Sequence, residues 1–238
     1  FKQYEVGHQR FAWLMRTNPK IINVFKELWN TDELVTSFDG CCYYPAEYIG
    51  NQQYWTHTDQ SSLKKGVNCY QSFVSLTNNC ERTLLVYERS NLLHEEYFQE
   101  MCIDGPNDWN IIDKKYISKL ESQKRNLDVK AGDLVVWESR TFHQNLCGSH
   151  GCNEERLIQY LCYLPKNAEG NTEYWQKERK NYFDNLQTTS HWPYPMNAVP
   201  MQPMSYNYYN PYNPIYINYN ELPLPKIDDL IPKIEKLL

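Results

Sequence analysis

The feature that most constrains this chain is a pair of short segments far apart in the sequence, "YWTHTDQ" with His57 and Asp59 and "AGDLVVWESRTFHQN" with His143. Two imidazoles and one carboxylate in an H-x-D…H arrangement are the ligand types that hold a ferrous ion on one face and leave the other face open. Alternation along a β-strand sends residues i and i+2 to the same side. His57 and Asp59 can therefore reach one ion while Thr58 faces away. His143 has to come from a different strand, so the fold must bring two distant strands side by side.

The surrounding residues read as strands. "DLVVW", after an Ala-Gly turn, is rich in β-branched residues and reads as a buried strand. "ERLIQYLCYL" reads as a second strand, opened by Arg156, and "CGSHGCNE" between them reads as a Gly-punctuated hairpin loop. An arginine at that position could anchor the far carboxylate of a keto-acid cosubstrate. A lone H-x-D recurs by chance, whereas H-x-D, G-D-L-V-V-W…H and a strand-opening arginine together are a specific signal.

At these residues the sequence resembles the phytanoyl-CoA dioxygenase-like branch of the Fe(II)/2-oxoglutarate-dependent oxygenases, over roughly residues 18–196. "NPKIINVFKELWNTDELVTSFDGCCYYP" is similar to that family's leading helix and first core strand. "VNCYQSFVSLTNNCERTLLVYERSNLLHEEYF" is similar to its strand pair and outer helix, although "YERSN" departs from the Gly-rich turn common there. "GDLVVWESRTFHQN" follows the G-D-…-W-D-S-R-T-x-H pattern, with Glu138 in place of Asp. The resemblance implies a mainly β fold with flanking helices around a double-stranded β-helix (jelly-roll) core. It implies Fe(II) on His57, Asp59 and His143, and the C5 carboxylate of 2-oxoglutarate on Arg156. Gln71 and Asn145 fall where auxiliary cosubstrate contacts are common. The implied reaction consumes O2 and 2-oxoglutarate and hydroxylates an unactivated C–H bond. Arg140, in the same motif, reads as a structural or substrate-side residue. A cupin-like isomerase or dioxygenase without a keto-acid is a weaker reading that Arg156 opposes. An inactive structural or binding protein on the same fold, such as a virus-particle component, is the competing class.

Composition narrows the partners. A formal charge of −5 and a pI near 5.7 argue against a nucleic-acid surface. No apolar run is long enough to span a membrane, and a small molecule, a lipid chain or a protein side chain all stand as substrates. The eight cysteines are scattered; ferrous chemistry fits a reducing cytoplasm, the host's or a virion if the source is viral, and so free thiols. Cys147, His150 and Cys152 lack a fourth ligand for a metal site, and a Cys147–Cys152 disulfide stays open for a protein outside such a compartment.

Helices are expected at both ends of the oxygenase-like region. Asn18 reads as an N-cap with Pro19 at the first helical position, and Ile21, Ile22, Phe25, Leu28 and Trp29 form an apolar face. "LLHEEYFQEM", "KKYISKLESQKRN" and "TEYWQKERKNYFDNL" read as further helices, the last with Tyr174, Trp175 and Phe183 available to pack. The organisation expected is one domain over 1–196 and a Tyr/Asn/Pro-rich arm over 197–238. Proline at this density predicts extended, irregular backbone. The arm ends in an amphipathic segment with Pro232 as a break, and reads as a strap on its own domain or a docking arm for a partner or second copy.

Overall fold

The computed structural model describes residues 5–199, 204–207, 210–216 and 221–238. In chain order the elements are α1 (Arg10–Arg16), α2 (Pro19–Trp29), β1 (Leu34–Thr36), β2 (Cys41–Tyr44), β3 (His57–Thr58), β4 (Tyr70–Ser75) and β5 (Leu84–Tyr87). There follow α3 (His94–Glu100), β6 (Asn110–Ile111), α4 (Lys114–Ser118), β7 (Lys124–Asn126), β8 (Leu134–Glu138), β9 (His143–Asn145) and β10 (Arg156–Pro165). The chain closes with α5 (Glu173–Asp184), β11 (Met204–Asn207), β12 (Asn210–Tyr216) and α6 (Ile231–Ile234). The fold is mostly antiparallel β-sheet with some helices. No helix among the described residues is long and apolar enough to cross a membrane. The chain divides into two compact units, Cys42–Ile158 and the combination of Phe1–Cys41 with Gln159–Leu238.

The Cys42–Ile158 unit carries every candidate site residue. One sheet has the strand order β6-β3-β9-β5-β7, and β4 pairs antiparallel with β8 over Tyr70↔Glu138 to Val74↔Leu134. Behind the first sheet, Leu85, Tyr87, Tyr97, Phe98, Tyr116 and Phe142 form a buried aromatic-rich cluster. Edge-on ring contacts knit it together, with Tyr97 4.8 Å from Tyr116 and 5.6 Å from Phe142. Arg82 ties the loops of this unit. Its buried guanidinium donates to the carbonyls of Pro45, Tyr48, Cys147 and Cys152. Glu154 in turn accepts the backbone N–H groups of Cys80, Glu81 and Arg82. These loops have no strand partners, so side chains satisfy their polar backbone instead.

The other unit packs helices on a short ladder. β1 pairs with the end of β10, Leu34↔Pro165 to Thr36↔Tyr163. Asn18 caps α2 as its sequence predicts, its side chain accepting from Lys20 N at 3.0 Å. Trp13, Phe38, Met196, Ile227, Leu230 and Ile234 form the core. The amphipathic C-terminal segment therefore docks on α1 of its own unit.

Several sequence expectations change here. The α2 stripe is narrower than its periodicity implies: Ile21 and Phe25 are buried while Leu28 is 39% exposed. "KKYISKLESQKRN" is not one helix. α4 ends at Ser118, and Lys124–Asn126 instead pairs with β5, because strand pairing overrides a merely helix-permissive composition. β8 is only half-buried along most of its length. "CGSHGCNE" is not a hairpin, since β9 pairs with β3 and β5 and β10 lies in another sheet. On α5, Tyr174 is exposed, whereas Trp175 and Phe183 pack on the core. The cysteines keep to expectation: all eight are free, Cys147 and Cys152 included. Within the arm, β11 and β12 form an antiparallel pair rather than irregular backbone. Each strand of a lone pair is an edge, where proline is tolerated. Residues 200–203, 208–209 and 217–220 of the arm lie outside the described ones.

Candidate functional site

The two histidines meet because β3 and β9 are neighbours in register, with His57 directly opposite His143. Cross-strand partners share a face, and the two rings lie 4.3 Å apart, centroid to centroid. Asp59 follows the end of β3, where its N–H donates to Ser139 O at 2.9 Å. Its Oδ2 sits 3.4 Å from His57 Nε2 and 3.2 Å from His143 Nε2. All three residues are buried, at 5%, 6% and 4% exposure.

Each imidazole is oriented by the same local device. His57 Nδ1 lies 2.9 Å from Trp55 O and His143 Nδ1 lies 2.8 Å from Thr141 O, in both cases a carbonyl two residues upstream. A carbonyl only accepts, so Nδ1 carries the hydrogen and Nε2 presents its lone pair inward. Gln71, from β4, donates its amide to Asp59 Oδ2 at 2.9 Å. Trp55 stacks on His57 at 4.9 Å, and Trp137 lies 5.4 Å from His143.

Two lone-pair nitrogens and an anionic oxygen now face one another in a buried space. Ligand atoms from the three residues all lie within 4.8 Å of one another. That arrangement is repulsive unless a positive charge sits among the three. Burial works against a proton on His57, but the hydrogen bond and charge of Asp59 and the Trp55 carbonyl outweigh it and raise its pKa. Burial, with the nearby His57, lowers that of His143. A metal ion meets the same need for all three groups at once. Two ligands about 2.1 Å from one ion and at right angles to each other lie about 3 Å apart, close to the separations found here. The residues fit a divalent metal with mixed nitrogen and hard-oxygen preference. Among the described residues, Cys147, His150 and Cys152 form no such group.

Arg156, opening β10, is 1% exposed. Its Nη2 donates to Asn145 Oδ1 at 2.8 Å, its Nη1 reaches Cys42 Sγ at 4.0 Å, and the guanidinium lies 5.8 Å from the Phe73 ring. Among the described residues no carboxylate pairs with it. Asn145 is two residues beyond His143, so its side chain shares the His143 face. Arg140 is different, its charge being met by Glu138, which also accepts from Asn91 Nδ2 at 2.9 Å.

The sequence-predicted residues thus fall into two linked groups: His57, Asp59 and His143 with Gln71, and Arg156 with Asn145. The tryptophans around the histidines were not anticipated. Their signal was present in part, since Trp55 precedes His57 by two positions and Trp137 lies directly across from Gln71.

Fold and site together define a β-sheet protein with a buried candidate metal centre. No protein-family profile matches the chain. The Ava biosynthesis cluster protein O of Aspergillus versicolor is 28% identical over 207 residues, covering 80% of this chain. The chain spans 65% of that relative's length. Among solved structures, the apo form of the non-heme monooxygenase ThoJ has 15% identity and a TM-score of 0.47, covering 70% of this chain and 60% of ThoJ. Its nickel complex has 14% identity and a TM-score of 0.46, covering 70% of this chain and 58% of that one. EvdMO1 has 16% identity and a TM-score of 0.48, covering 69% of this chain and 35% of EvdMO1.

Proposed function

We propose that this protein is an Fe(II)- and 2-oxoglutarate-dependent oxygenase with a jelly-roll core that hydroxylates an unactivated C–H bond of a small molecule. The observation that carries the reading is the convergence of His57, Asp59 and His143, whose ligand atoms all lie within 4.8 Å of one another, on a sheet whose Asn145 holds the buried Arg156 guanidinium. Buried charge is favourable only when it is paired, and one metal–carboxylate cosubstrate complex suits both groups.

In this reading His57, Asp59 and His143 hold the iron. Bound there, ferrous iron with 2-oxoglutarate and O2 supplies the two-electron oxidation that places one oxygen atom on carbon and yields succinate and CO2. The Trp55 and Thr141 carbonyls keep both Nε2 atoms unprotonated and aimed at the ion. Gln71 fixes the Asp59 carboxylate. Arg156, steadied by Asn145 and the face of Phe73, takes the distal carboxylate of the cosubstrate through charge-assisted hydrogen bonds. Trp55 and Trp137 wall the imidazoles and exclude water. The relative's name refers to a biosynthesis cluster, and we carry that over as a role in tailoring a small molecule.

The test is anaerobic addition of Fe(II) and then 2-oxoglutarate to the full chain. The proposal expects a weak visible charge-transfer band that needs both additions, followed by succinate formation when air is admitted. Tight metal binding with no band and no succinate would instead mark a binding protein that keeps the fold.

A further inference from the structure

The register that assembles the histidines also decides what borders them. Directly opposed residues place Ile111, His57, His143 and Val86 in one row across β6, β3, β9 and β5. On the β9 side of His57 the shared face carries the polar Asn145 and, through it, Arg156, with Leu84 and Val86 of β5 beside them. On the β6 side it is apolar. Ile111 is 49% exposed, and Trp109, two residues before it, is 52% exposed. The Trp109 ring stands 5.8 Å from the His57 ring, tilted by 42°.

This exposure does not come from a loose segment. Asp108 accepts from Ser61 N at 3.0 Å and pairs with Lys64 at 2.8 Å. Ser61 Oγ donates to Gly105 O at 2.6 Å, and Thr58 opposes Asn110 in the ladder. The indole is therefore held at the rim of a buried polar site with half its surface uncovered. An aromatic and a branched aliphatic side chain fixed together in that position favour contact with apolar matter. Neither offers a charge to an ionic partner.

We infer that Trp109 and Ile111 form the wall that binds an uncharged, ring-bearing apolar body of the substrate, an inference that rests on the oxygenase reading above. Cosubstrate and substrate then approach His57 from opposite sides, the carboxylate from the β9 side and the apolar body from the β6 side. The division also keeps the hydrophobic substrate away from the Arg156 guanidinium.

The probe is N-phenyl-1-naphthylamine, uncharged and emissive in apolar surroundings, titrated into the full chain loaded with Co(II) or with Zn(II). Saturable binding is expected, with emission quenched in the Co(II) form relative to Zn(II). Trp109→Ala and Ile111→Ser should each weaken binding about tenfold, and Trp109→Phe by less than about threefold. The Co(II) absorption spectrum should be the same in all four proteins, and added 2-oxoglutarate should not displace the probe. Wild-type affinity in Trp109→Ala and Ile111→Ser, no binding to the wild type, or one-for-one displacement by 2-oxoglutarate would each overturn the inference. If Co(II) failed to bind while the probe still depended on Trp109, the apolar wall would stand and its assignment to a metal oxygenase would fall.

Discussion

Replacing Arg156 with methionine should make the protein more stable and disable it at the same time. The side chain is 1% exposed, its firm partner is the neutral Asn145 oxygen at 2.8 Å, and no described carboxylate compensates its charge. Exchanging a buried, poorly compensated charge for an apolar side chain of similar reach gains about 1–4 kcal/mol. Leaving Asn145 without its donor returns about 1 kcal/mol, so a net gain of up to about 3 kcal/mol is expected for the protein without ligands. For a chain of this size that raises the melting temperature by roughly 2–4 °C per kcal/mol. On the proposed function the same change also removes charge-assisted hydrogen bonds to the cosubstrate worth about 1.5–3 kcal/mol, a loss of roughly 10- to 150-fold in 2-oxoglutarate affinity. Calorimetric titration of 2-oxoglutarate into Mn(II)-loaded protein, beside thermal melts of the metal-free form, reads both effects. A lower melting temperature together with unchanged cosubstrate affinity would show that Arg156 holds the fold and that the assignment is wrong.

Three further experiments have defined outcomes. Asp59→Ala and His57→Ala should each lower Co(II) affinity at least about 100-fold by equilibrium dialysis, whereas Arg140→Ala, whose partner is Glu138, should leave it within about threefold. His8 is fully buried, and burial drives its pKa down to about 3 despite the Gln187 carbonyl. The folded ring stays neutral while the unfolded one takes a proton below about pH 6.5, so stability falls by about 1.4 kcal/mol per pH unit from there toward pH 3. In urea titrations His8→Phe should lack that share of the loss between pH 6.5 and 4.5, and equal slopes in the two proteins would refute it. Ile234→Ala, fully buried against the Trp13 and Phe38 core, should cost about 2–5 kcal/mol of unfolding free energy. A cost under 1 kcal/mol would mean that the C-terminal segment does not anchor there.

What could be read from the sequence was whatever local spacing determines. The i, i+2 spacing of His57 and Asp59, the Asn18–Pro19 helix start and the strand opened by Arg156 are all local, and each is found. The environment of those residues is not local. The approach of Trp137 to His143 depends on β8 and β9 belonging to different pairings, and the exposure of Trp109 depends on a loop pinned by Ser61 and Lys64. The helix read across "KKYISKLESQKRN" failed for the same reason. Asp113 caps only its first turn, and the pull of Tyr116, Ile117 and Leu120 into the aromatic cluster leaves Lys124–Asn126 against β5. Gln71 shows a finer limit. Its position beside the site was legible by resemblance, but its amide is committed to Asp59 rather than left free.

The strand logic that first pointed to the ligands also understates how they are held. β3 contributes only two residues, and Asp59 lies beyond its end. A strand that short cannot fix three side chains by its ladder alone. The positions are set instead by backbone groups around them: the Trp55 and Thr141 carbonyls on the imidazoles, and Ser139 O accepting both Asp59 N–H and Thr58 Oγ1–H. Ser139 is itself held by its hydroxyl on Gln60, whose carbonyl oxygen lies 2.9 Å from the buried His94 Nε2. None of these contacts requires a metal. A site ordered by its own second layer of hydrogen bonds is preorganised, so metal binding has little reorganisation to oppose it. A divalent ion then meets three ligand atoms already gathered within 4.8 Å of one another, which makes the triad a stronger indication of metal than the H-x-D spacing alone.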